Sequence, residues 1–188
     1  MQNNMSSKKA LIFENGDADY EDIIKCLPED VKPLRRKKKT DKAFDGKDYC
    51  LCICDLTKSE PIANNIPLDD PLFLERDIGK SIKFIAKLRH HFSNCPVVIV
   101  TKLSVIWLRD YFDTLIRTKD ADIMRIFDND CINVYQKLNA SKRQPFGVVY
   151  DDKKVHIVIK PYSANNNEDD IEQWKKVFKE YLANSVLT

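Results

Sequence analysis

Residues 49–56, YCLCICDL, are apolar at every position until Asp55. A strand points successive side chains to opposite faces, so a run apolar at odd and even positions alike is covered on both sides. Such double-sided burial marks a central strand of a parallel sheet. Parallel neighbours cannot be joined by a tight turn and need crossovers, usually helices. This one segment therefore commits the chain to an α/β plan, provided that strands and helices alternate around it.

They do. KALIF at 9–13 is a short apolar run followed by the turn-forming ENGDAD, and PVVIVT at 96–101 is a β-branched run too short for a helix. FGVVY at 146–150 and VHIVIKPY at 155–162 read as two strands around a polar turn. VKPLRR at 31–36 is a further strand, which Pro33 places at an edge. Between them lie helical patterns. Residues 19–27 carry the stripe Tyr20, Ile23, Ile24 and Leu27, ended by Pro28. Residues 77–92 carry Ile78, Ile82, Ile85, Leu88 and Phe92. Residues 104–117 are helical through Val105, Leu108, Phe112 and Leu115, and 120–139 form a less regular helix. NNNEDD caps a last helix over 168–184, packed by Ile171, Trp174, Phe178 and Leu182. The expectation is a flavodoxin-like, doubly wound α/β domain. It has a mainly parallel sheet of about five strands, an extra edge strand, and helices on both faces.

Length and composition bound the rest. A chain of 188 residues with 43% hydrophobic and 32% charged residues makes one ordinary globular domain, 1–188. Residues 1–7 are read as a disordered N-terminus, and 58–76 and 118–150 as insertions. No stretch approaches the roughly 20 apolar residues that cross a bilayer. MQNNMSSKK also lacks the apolar core of a signal peptide, so no membrane partner is expected and the location is read as cytoplasmic. The six cysteines (Cys26, Cys50, Cys52, Cys54, Cys95, Cys131) are then thiols. Cys50, Cys52 and Cys54 alternate, which puts all three on one strand face as buried space-filling residues rather than a zinc site. His90 and His91 end a helix at the surface.

Sites in open α/β sheets gather at the carboxyl ends of the strands. Here the first strand ends on Glu14 and Asn15, with Asp17 next. The third ends on Asp55 and is followed by Thr57, the fourth ends on Thr101, and the last ends on Lys160-Pro161. Acid, acid, hydroxyl and lysine in that order, on ALIFEN, CDL, VIVT and IKP, resemble the receiver domain of two-component response regulators. The resemblance covers the fold plan over roughly residues 8–184. It implies a stand-alone regulatory protein that signals through a partner, a sensor kinase or an effector. Mg²⁺ would be held by Glu14, Asn15, Asp55 and the Thr57 carbonyl. Asp55 would accept the phosphoryl group, with Thr101 and Lys160 contacting it. The chemistry is coherent: a metal offsets repulsion between a carboxylate and a phosphoryl donor, and a lysine stabilises charge on the transferring oxygens.

The sequence also departs from that pattern. Glu14-Asn15 replaces an acidic pair, Ile157 stands where an aromatic switch residue is expected, and both Asp55–Thr101 and Thr101–Lys160 are longer than ordinary receivers need. A degenerate receiver acting as a constitutive protein-interaction module is therefore the alternative, with Trp107 or Tyr135 as exposed anchors in or near the insertions. Residues 32–42, KPLRRKKKTDK, hold seven basic residues and one acid. Arg35, Arg36, Lys37, Lys38 and Lys39 make nucleic-acid binding a more distant reading, against that of a solvated edge guarded by lysine. No acid precedes Lys160 by two residues, which argues against a metal nuclease. Neither G-x-G-x-x-G nor a P-loop occurs to suggest a nucleotide enzyme. Beyond autophosphorylation from a phosphoryl donor, no enzyme activity is expected.

Overall fold

The structure is a computed structural model that describes residues 8–14, 16–37, 49–56, 71–128, 131–141, 146–161 and 168–187. Its sheet has six strands: β1 (Lys8–Phe13), β2 (Val31–Arg36), β3 (Leu51–Asp55), β4 (Val97–Thr101), β5 (Gly147–Asp151) and β6 (Val155–Ile159). Their spatial order is β2-β1-β3-β4-β6-β5. All neighbours pair in parallel except β5 with β6, which form an antiparallel hairpin with an irregularity between Val148 and Tyr150. The expectation of about five strands with an added edge thus meets a sheet of six, one of them antiparallel. Pro33 sits in the outermost strand, β2, where its missing N–H costs least.

The helices are α1 (Asp17–Ile24), α2 (Pro71–His91), α3 (Val105–Arg117), α4 (Ala121–Ile126), α5 (Cys131–Ala140) and α6 (Glu168–Tyr181), the last running into a π turn at Leu182–Val186. They cover both faces. One core cluster joins Ala10, Ile12, Leu51, Ile53, Val98 and Val100 to Ile23 of α1 and to Trp174, Phe178 and Leu182. The other joins Leu11, Phe13, Cys52, Cys54, Val97 and Ile99 to α2, α3, α4 and α5. Every residue of β3 and β4 is buried, as the double-sided apolar runs require. This arrangement is consistent with a doubly wound fold.

Several boundaries differ from expectation for physical reasons. Helix α2 begins at Pro71, inside the segment read as an insertion, because proline is well placed in a first helical turn, where the N–H it lacks would have had no helical partner. The helix expected over 120–139 is two. Phe127 leaves helical geometry and Asp128 turns left-handed at φ +49°, which ends α4 before α5 begins. The buried face of α1 is also rotated. Within α1 Asp19 and Ile23 are buried and Tyr20 and Ile24 half-buried, and in the turn beyond it Leu27 is buried as expected, together with Cys26. Cys52 and Cys54 share a face as expected. Cys50, however, lies before β3 and packs towards the opposite cluster, with its Sγ donating to the Lys9 carbonyl at 3.3 Å. His90 and His91 are exposed at the end of α2.

Candidate functional site

A change of winding direction opens a crevice at the carboxyl edge of a parallel sheet. Here it falls between β1 and β3: the β1-α1-β2 unit runs one way and the β3-α2-β4 unit the other. Glu14 follows β1, Asp55 ends β3, Thr101 ends β4 and Lys160 follows β6. All four line one small cavity with Asp19 and Lys102, against an apolar wall that includes Ile23. Its volume is about 10 Å³, room for roughly one water molecule. Among the expected metal ligands, Glu14 and Asp55 are brought together, whereas Asn15 and Thr57 lie outside the described residues. Glu14 is 4% exposed and its Oε1 accepts from the Gly16 N–H at 2.7 Å, steadying the entry to α1. Thr101 Oγ1 accepts from the Leu103 N–H at 3.1 Å.

Lys160 lies at the centre of an ion-pair network. Its ammonium is 3% exposed and donates to Asp19 Oδ1 at 2.5 Å and to Asp22 Oδ2 at 2.7 Å. It also sits 5.4 Å from the centre of the Trp174 ring, within reach of a cation–π attraction. The pairing continues outward on both sides. Lys102 donates to Asp19 Oδ2 at 2.7 Å, and Lys175 of α6 contacts Asp22 Oδ1 at 3.0 Å and Glu172 Oε1 at 2.7 Å. Lys102, Asp19, Lys160, Asp22, Lys175 and Glu172 thus form a chain of alternating charge that sums to zero. Burial opposes the charge on Asp19, but hydrogen bonds from Lys102 and Lys160 outweigh it and hold the carboxyl below its ordinary value. Burial likewise opposes charge on Asp22, and Lys160 and Lys175 outweigh it there.

Sequence reasoning missed Asp19, Asp22, Lys102 and Lys175. The signal was available in part. Asp19, Asp22, Ile23 and Cys26 fall at i, i+3, i+4 and i+7, so two carboxylates occupy a helical stripe that otherwise enters the core, and a buried carboxylate calls for a cation.

The basic run divides. Arg35 is drawn into the fold: its Nε donates to the Glu14 carbonyl at 3.0 Å and its Nη1 to Asp17 at 2.6 Å, with the guanidinium 4.4 Å from the Tyr20 ring centre. Lys37 shares Asp17 at 3.1 Å, and these two cations, the Arg35 hydrogen bond foremost, hold the Asp17 carboxyl low. Arg36 is half-buried, and Lys38 and Lys39 lie outside the described residues. Of the expected surface anchors, Tyr135 is exposed, while Trp107 is half-buried and stacks on Tyr111 at 5.0 Å. Ile157, at the position expected for an aromatic switch, is fully buried. Among the described residues, no three acidic, histidine or cysteine side chains converge as a metal group, and no helix is long and apolar enough to cross a membrane. Neither a comparison with known protein families nor one with curated proteins finds a match for the chain.

Proposed function

We propose that this chain is a flavodoxin-like, receiver-like regulatory domain that acts by binding a protein partner, and that its binding is constitutive. The single observation that supports this reading is the convergence of Glu14, Asp55, Thr101 and Lys160 from four strand ends on one cavity in which Lys160 is already neutralised. Asp19 and Asp22 hold the cation that a phosphoryl group would otherwise meet. The cavity has room for about one water, less than a phosphoryl group fills.

A second reading keeps the switch. Asp55 and Glu14 are hard oxygen donors suited to Mg²⁺, and Asp55 shares the cavity with Thr101 and Lys160. In that reading the Asp55 carboxylate attacks the phosphorus of a donor such as acetyl phosphate, and the phosphorus–oxygen bond to acetate breaks. Intact mass after incubation with Mg²⁺ and acetyl phosphate separates the two. Constitutive binding predicts no adduct on the wild type and a labile adduct on Asp19→Asn/Asp22→Asn, in which Lys160 is released. An adduct on the wild type that Asp55→Asn abolishes establishes the switched reading instead. If neither form is labelled while a receiver control is, the cavity is not a receiver site.

A further inference from the structure

The cysteines of 50–54 have no part in the cavity, yet one of them has a close partner. Cys52, fully buried near the start of β3, has its Sγ 3.5 Å from Cys95 Sγ, 43 positions along the chain. Cys95 closes the turn that follows α2 and is 6% exposed, next to the exposed Ser93 and Asn94. Both are free thiols. We propose that Cys52 and Cys95 are a redox-modification site, converted by hydrogen peroxide to an intramolecular disulfide that staples β3 to the turn before β4.

Proximity and unequal exposure assign the order of events. A disulfide needs its sulfurs about 2.05 Å apart, so the pair must close by roughly 1.5 Å. Cys52 is held by strand pairing and by its N–H donating to the Pro96 carbonyl at 2.9 Å, so the closing movement falls to Cys95, which lies in a turn outside the strands. Contact with Cys95 and burial both push the Cys52 thiol up, so it is not the group that meets the oxidant. The Cys95 sulfur attacks one peroxide oxygen and the O–O bond breaks. Hydroxide leaves and takes up the thiol proton, giving a sulfenic acid and water. The Cys52 sulfur then attacks the Cys95 sulfur, and the sulfenic oxygen departs as a second water with the Cys52 proton. Two thiols and one peroxide give one disulfide and two waters, and a small thiol reverses the bond. The staple lies under α2 at the end of β3 opposite the cavity, so it is independent of the reading proposed above.

The test uses the full chain, reduced, freed of reductant and exposed to hydrogen peroxide, then alkylated under denaturing conditions and digested without reduction. A Cys52–Cys95 cross-linked peptide is expected, absent from Cys95→Ser and reversed by dithiothreitol. Cys52→Ala is expected to stop at the Cys95 sulfenic acid, captured as a dimedone adduct. The proposal is overturned if Cys95 passes to the sulfinic acid with Cys52 still a thiol. It is equally overturned if the cross-link runs through Cys50, or if peroxide leaves both thiols unchanged. Urea unfolding of each variant confirms that it is folded before treatment.

Discussion

Lys160→Met removes the one cation shared by Asp19 and Asp22 while keeping a side chain of similar length. At an effective dielectric of about 20, unit charges roughly 3 Å apart attract by about 5 kcal/mol, and Lys160 makes two such pairs. Against that gross attraction stands the cost of stripping water from a 3%-exposed ammonium, several kcal/mol, which methionine does not bear. Neither carboxylate is left alone, since Asp19 keeps Lys102 and Asp22 keeps Lys175. The net loss therefore falls at the low end of the range for breaking a buried pair, about 3 kcal/mol. For a chain of this size that is a fall in Tm of roughly 6–12 °C. Urea unfolding followed by circular dichroism reads the free-energy loss, and a thermal melt reads the shift in Tm.

Two companion measurements make the reasoning refutable. Lys160→Met/Asp19→Asn/Asp22→Asn removes the carboxylates, each left with one cation instead of two, together with Lys160, so it should recover part of the loss. The depressed carboxyls of Asp19 and Asp22 contribute stability that is present above their ordinary value of 3.8 and lost as pH falls through the folded values. The gap between wild type and Lys160→Met should accordingly narrow in acid below that value. A single variant that unfolds at the wild-type urea midpoint, or a triple variant no better than the single, would mean that water already screens the network.

Three further outcomes follow from other parts of the fold. His156 is 1% exposed, and burial pushes its imidazole below the ordinary value of 6.5, although Asp151 at 3.1 Å pulls the other way. The unfolded chain then binds the proton first, so stability falls as pH drops below about 6.5, and a urea midpoint lower at about pH 5.5 than at about pH 7.5 that flattens in His156→Gln checks it. Lys119 is exposed at φ +54°, so Lys119→Gly should raise stability by about 0.5–1 kcal/mol in the same assay. Asp128→Gly at φ +49° should lower it, because the Asp128 carboxylate contacts the buried Arg89 at 3.2 Å.

The fold was legible where burial leaves no choice of residue. YCLCICDL and VVIVT could only be interior strands, and the Trp174, Phe178 and Leu182 stripe could only face a sheet. Helix ends were less legible, because a proline-rich stretch that reads as loop also suits a first helical turn, as at Pro71. The split between α4 and α5 rests on one left-handed aspartate, a conformation that composition does not announce. At the cavity, the strand-end residues Glu14, Asp55, Thr101 and Lys160 were legible because a parallel sheet aligns its carboxyl ends in advance. Asp19 and Asp22 were legible only in part, through their helical spacing, because their partner is a lysine 138 or more positions away.

That lysine explains the rotation of α1. Two stripes compete on this helix and the turn that follows it, Tyr20, Ile23, Ile24 and Leu27 against Asp19, Asp22, Ile23 and Cys26, offset by one residue and hence by about 100° around the helix axis. Apolar content alone favours the first, since burying Tyr20 and Ile24 fully would release more free energy than burying a carboxylate. The second prevails at Asp19 because Lys160, held in place at the end of a fully buried strand, cannot leave the interior and must be neutralised there. Tyr20 and Ile24 settle half-buried at the margin of the same cluster, and the Arg35 guanidinium lies over the Tyr20 ring. The charge that fills the cavity is thus also the one that sets the register of α1 on the sheet. A residue that first reads as phosphoryl-contacting chemistry has a structural consequence that stands whether or not Asp55 is ever phosphorylated.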